Sequence, residues 1–366
     1  MSIDPATGPS GPTGPTGPSG PTDPSGPTGR PDAGGTAPFL RARRVWLVTA
    51  ALVLLVAYAG YAMNAQLTAS LLGFSWNYAV PLVLAALVGI LGERSGVVNI
   101  GIEGQMLGAA FVAFFAAAFS GSLLVGALAG IGTGLLAGAF LAWTTVAWQM
   151  DQIIAGVVLN IVATGLTSFY YRQGQTLPQV MPHLEVPVLS SIPLLGPVFF
   201  TGGPFSLLAI VAAVVVHYAL FYTRWGLRTR AVGEHPHAAD TAGIDVIRMR
   251  LLNVTLAGGL AGAAGAYLSM EASSTFERGF TAGRGFLALA IMIFGAWYPL
   301  RALAAALFFG LMSGTAAQLQ AGDVIAIPEQ FVNLLPYVLT LVVLAVAAGK
   351  VRPPGAVGQP FVKEDA

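Results

Sequence analysis

The chain has 366 residues, 55% of them hydrophobic and only 9% charged, with a net charge of +1 and a mean hydropathy of +0.73. Soluble domains carry about 25% charged residues, so a soluble fold is excluded, and so neutral a chain gives no electrostatic case for binding nucleic acid. The absence of cysteine excludes disulfides and thiolate metal sites.

Residues 1–40 are rich in Pro, Gly and Thr, and from Gly8 they run in Gly-Pro triplets until Asp23 breaks the register. A triple helix needs glycine at every third position. The short, interrupted run reads instead as a disordered cytoplasmic tail. No signal peptide is expected, because the first apolar run is long enough for a full span.

Ten apolar runs follow, at about 45–64, 71–91, 101–120, 122–146, 152–171, 204–223, 250–270, 283–298, 302–320 and 330–349. They are continuous rather than alternating, which points to helices and not barrel strands. The expectation is an all-α, polytopic membrane protein with about ten transmembrane helices over 41–350 and a cytoplasmic C-terminal tail over 351–366. Threading the runs alternately puts 14 of the 17 Lys and Arg residues on one side, leaving only Arg172, Arg278 and Arg284 on the other. By the positive-inside rule, both termini are then cytoplasmic.

Ten spans divide into five and five, and an odd number per half inverts the second half relative to the first. An internal match supports such a repeat. Glu93-Arg94-Ser95-Gly96 precedes the third span, and Glu277-Arg278-Gly279 precedes the eighth, leading into Ala282-Gly283-Arg284-Gly285. Glycines at 126, 130, 134 and 138, and again at 258 and 262, recur every fourth residue; such stripes let helix backbones approach closely. The proline-rich stretch 172–203 reads as an ordered, non-helical external cap.

Two stretches carry the functional expectations. GERSGVVNIGIEGQM, from Gly92 to Met106, sets Asn99, Glu103 and Gln105 among helix-weakening glycines. Broken helices with polar groups are tolerated at membrane depth where they line a wet cavity or are buried in protein. These three residues, with Asn160, are the candidates for a translocation path; the alternative is a tight turn followed by a helix that packs Glu103 against a partner. The second stretch, 224–250, holds Arg224, Arg228, Arg230, Arg248 and Arg250 and is too charged to cross lipid. Within it Pro236 is placed to start a short helix and Gly243 to end it. A helix held outside the membrane between two spans reads as a docking element for a soluble protein. No G-x-x-x-x-G-K-[ST] pattern occurs, so ATP used here would bind another chain; no catalytic or metal-binding cluster is visible.

GERSGVVNIGIEGQM, then GLRTRAVGEHPHAADTAGIDV, then GGLAGAAGAYLS and FTAGRGFLALAIMIFGAW, taken in order over about 70–350, resemble the permease subunits of bacterial ABC importers. The branch is the one serving branched-chain amino acids, simple sugars and nucleosides, and the first motif is most like its nucleoside and simple-sugar permeases. The resemblance implies a multi-pass protein of the bacterial plasma membrane that works by alternating access. It implies ATP and Mg on a cytoplasmic ABC ATPase and no cofactor on this chain. It also implies a second permease subunit, either a paralogue or a copy, and an extracytoplasmic substrate-binding protein or lipoprotein. The family's ATPase-coupling segment maps onto Gly233, Glu234, Pro236, Ala238, Ala239, Asp240 and Gly243. A self-contained secondary transporter is the rival reading, with Glu103 as its ion-coupling carboxylate.

Overall fold

The computed structural model describes residues 55–171, 174–321, 334, 338 and 352–363. The predicted tail 1–40, half of the first predicted span and all but two residues of the tenth lie outside the described residues. Among those described, the regular structure is helical, apart from one bridge between Thr176 and Thr275.

Residues 55–63 are helical, and Asn64 then caps a long helix, α1 (Ala65–Arg94), by accepting from Leu67 N. From Ala79 to Ile90 almost every side chain of α1 is buried. A helix apolar on all sides belongs in the middle of a bundle, and α1 is that central post. The chain continues through α2 (Ile102–Ser120), α3 (Leu123–Ala142) and α4 (Gln152–Tyr170), then α5 (Leu195–Phe199) and α6 (Pro204–Tyr222). The amphipathic α7 (Arg224–Glu234) and the short α8 (Pro236–Thr241) lead to α9 (Val246–Ala266), α10 (Arg284–Phe294) and α11 (Pro299–Ala321). Seven of these helices are long and apolar enough to cross a membrane, each coinciding with a predicted span. Single π-helical turns extend α3 through Ala147 and α9 through Ala272.

The two glycine stripes face each other. A Cβ on Gly134 would lie 2.5 Å from Gly262 Cα, and one on Gly138 would lie 2.9 Å from Gly258 Cα. The backbones of α3 and α9 therefore touch, as the four-residue spacing predicts.

Three expectations need correction. The eighth predicted span, 283–298, is an α10 of only 11 residues, about 16 Å long against a hydrocarbon core of roughly 30 Å. Ala296 and Trp297 then take positive φ values of 51° and 57°, which end the helix before Pro299 starts the next. The seventh span begins earlier than predicted because Asp245 accepts from Arg248 N and nucleates α9 ahead of its apolar run. Finally, the proline-rich cap contains a helix, α5, within an otherwise irregular path held by Leu177 N to Ser274 O and Leu184 N to Gly202 O.

Candidate functional site

The two Gly-rich breaks meet. After Arg94 the chain turns through Gly96, at φ 89°, and Val97 N donates back to Gly92 O at 3.0 Å. It then runs as irregular backbone to α2, where Glu103 sits in the first turn. Glu103 Oε1 accepts from Thr281 Oγ1 at 2.6 Å and Gly283 N at 2.7 Å, and Oε2 accepts from Gly285 N at 2.6 Å. One carboxylate thus lies at the N-terminal ends of both α2 and α10, where helix dipoles favour negative charge. The other end of α10 is held by the same break, since Trp297 Nε1 donates to Glu93 Oε2 at 2.6 Å and Arg94 Nε donates to Trp297 O at 3.2 Å.

The remaining path candidates lie in this block. Asn160 Oδ1 accepts from Gly104 N at 2.7 Å and its Nδ2 donates to Ile100 O at 3.0 Å, stapling α4 to the break. Gln152 Oε1 adds a bond from Val98 N at 2.7 Å. Asn99 Nδ2 donates to Gln105 Oε1 at 3.1 Å, and both side chains are 1% exposed. Four residues chosen only as polar are therefore neighbours. Glu103 is committed to the Thr281 hydroxyl and two backbone amides, packing of the kind the alternative described, and Asn160 to one backbone amide and one backbone carbonyl. Asn99 Oδ1 and Gln105 Nε2, by contrast, are buried without a hydrogen-bond partner, a state that natural cores resolve with water or a ligand.

Pro236 does open α8, and Gly243 follows its end at φ 79°. Glu234, Ala238 and Gly243 are exposed, whereas Pro236 and Asp240 are half-buried. Gly233 and Ala239 are buried and root the segment instead: Gly233 seats against the carbonyl of Arg94, where no Cβ would fit, and Ala239 packs with Val232 and Val246. Glu234 Oε1 reaches Arg94 Nη1 at 4.0 Å. Not all five arginines of this stretch sit at the surface. Arg250 is 2% exposed and donates to Ser95 O at 3.1 Å and Gln359 O at 2.9 Å. Asn253 Nδ2 bonds Thr229 Oγ1 at 3.1 Å, tying α7 to α9.

The roles of two features escaped the sequence reading. Glu271, at the end of the α9 π turn, accepts from Phe205 N, Ser206 N and Ser206 Oγ and so caps α6; a lone glutamate after an apolar run was the available signal. The segment 352–363, read only as a tail, packs on the docking stretch, and its one aromatic residue, Phe361, was the available clue.

With this geometry established, comparison with known proteins is decisive. Residues 71–344 match the family described as branched-chain amino acid transport system / permease component. The chain belongs to this family. It is a permease subunit of an ABC transporter and an integral membrane protein, not an enzyme. Among similar curated proteins is the nucleoside ABC transporter permease protein NupC of Lactococcus lactis, 40% identical, the match covering 78% of this chain and 94% of that one. The guanosine ABC transporter permease protein NupQ of Bacillus subtilis is 38% identical, with the same coverage of 78% and 94%. The putative glucose ABC transporter permease protein TsgC13 of Haloferax volcanii is 34% identical, over 76% of this permease and 92% of that relative.

Proposed function

We propose that this permease forms the translocation path of an ATP-driven importer of nucleosides, working by alternating access. The carrying observation is the identity of 38–40% with two permeases named for nucleoside and guanosine transport, each covered over 94% of its length. Simple sugars are the second reading, favoured by the glucose permease at 34%.

The path is assigned to the block where the two breaks meet, with Asn99 and Gln105 offering the unpaired amide groups that a nucleoside base or ribose would bond. Glu103 and Asn160 hold that block in shape. The meeting of the breaks around Glu103 supports a five-plus-five inverted repeat of ten elements, in which α2 and the short α10 are the corresponding helices that follow the breaks. The exposed apolar face of α4, including Ile154, Val158, Ile161 and Phe169, is assigned to the second permease, taken to be a paralogue. The 224–250 stretch and both termini are assigned to the cytoplasm, where α8 docks on an ABC ATPase that carries ATP and Mg. A substrate-binding protein or lipoprotein delivers cargo on the opposite side.

The test is uptake into proteoliposomes holding the permeases, the ATPase and the binding protein. Labelled nucleoside is expected to enter only with ATP, and unlabelled glucose is expected not to compete. Uptake driven by an ion gradient without ATP would sink the reading.

A further inference from the structure

We infer that the segment 352–363 is a working part of the coupling element: a strap that fixes α8 to the 93–99 turn, so that an ATPase docked on α8 moves both together. The inference rests on the assignment of α8 as the ATPase contact.

A helix of six residues has almost no stability of its own, and α8 buries a single side chain, Ala239. Something else must hold it. Phe361, 5% exposed, packs in one cluster with Ala239, Val232 and Val246, and its ring centroid lies 5.1 Å from that of His237. The strap is also bonded along its length to the same stretch: Ala356 N donates to Gly233 O at 2.9 Å and Gly355 N to Glu234 Oε2 at 3.0 Å.

It then crosses to the first break. Gly358 N donates to Gly96 O at 3.2 Å, while Arg250 joins Ser95 O and Gln359 O through one guanidinium. Three segments distant in sequence are thereby closed into one body, next to the turn that leads to Asn99. Pro353, Pro354 and Pro360 stiffen the strap, which lowers the entropy lost in docking it. Beside α8, a cleft of about 660 Å³ is walled by Asp240, Ile244, Val246, Leu251 and, from the strap, Phe361 and Lys363. The strap therefore shapes the surface presented to the ATPase as well as supporting it.

The experiment uses the complete reconstituted transporter. Because the chain has no cysteine, Ala238→Cys supplies one reactive thiol on the exposed face of α8 for cross-linking to the ATPase. Phe361→Ala and a chain ended after Arg352 are compared with the exposed control Val362→Ala. Burying an aromatic ring contributes enough that its loss is expected to lower cross-linking by about tenfold. Nucleoside moved per ATP hydrolysed is expected to fall with it, at unchanged amounts of permease in the membrane, and the control is expected to behave as the parent. If the cross-link forms and neither its yield nor the transport ratio changes without the strap, the inference is overturned while the docking assignment stands. If Ala238→Cys gives no cross-link in the otherwise unaltered chain, the docking assignment itself fails and the strap falls with it. A chain carrying His237→Cys and Val362→Cys, which keeps the Phe361 ring in place, joined by a short bifunctional thiol reagent, adds a check independent of folding. Transport is expected to persist, because strap and α8 move together; loss of transport on joining them would overturn the inference.

Discussion

Glu103 concentrates the chemistry of the block in one side chain. Its two oxygens satisfy donors on residues 178 to 182 positions away, and hydrogen bonds to a charged group contribute about 1.5–3 kcal/mol. Glu103→Gln places an amide donor against backbone donors, so a loss of about 2 kcal/mol is expected, read as a lower unfolding midpoint in detergent. An unchanged midpoint would mean that Glu103 does not hold α10. A second residue-scale prediction concerns the facing glycines. Gly134→Ala forces α3 and α9 apart, at a cost of about 1–3 kcal/mol, whereas Gly132→Ala meets nothing within 4 Å and is expected to leave the midpoint unchanged. Sequence reasoning found the four polar candidates because polar groups stand out among apolar neighbours. It could not tell which were committed, because the partners of Glu103, the Thr281 hydroxyl and two backbone amides, lie across the bundle where no local pattern displays them.

At the scale of elements, legibility followed punctuation. The limits of α8 were readable because Pro236 and Gly243 are residues with a defined backbone role. Those of α10 were not, since its apolar run continues through Trp297 and Tyr298 while the stop is made by left-handed turns at Ala296 and Trp297. The conformation at Gly243 provides the element's own test. An L side chain there costs on the order of 1 kcal/mol at φ 79° and would misalign the end of α8. Gly243→Ala is therefore expected to lower ATP-driven uptake severalfold while leaving the detergent unfolding midpoint within about a degree. Full uptake in that variant would argue that the end of α8 plays no part in docking.

For the whole molecule, hydropathy located the seven long helices among the described residues, with α1 starting at Ala65 and α9 at Val246, ahead of their predicted spans, because continuous apolar runs are hard to misread. What it could not give was the closure of distant segments into one body, since Arg250 and Phe361 look like any charged residue at a span end and any aromatic in a tail. The assigned orientation is open to direct measurement in this cysteine-free chain. Val188 in the proline-rich cap is 80% exposed, and Ala238 is exposed on α8. Single thiols at these two positions are separated by one crossing, α6. A membrane-impermeant reagent added from outside is expected to label Val188→Cys and to spare Ala238→Cys until the membrane is opened. Equal labelling of both from outside would refute the assigned sidedness.

The short length of α10 also bears on how the protein is made. A segment of 11 residues is too brief for the insertion machinery to recognise as a stop in lipid. Both of its ends are clasped by groups from the first half of the chain, Glu103 at its start and Glu93 with Arg94 after its end. Its place in the membrane is therefore a matter of timing: α1 and α2 must already be seated when it leaves the ribosome, and a fragment synthesised from α9 onward would lack the scaffold that receives it.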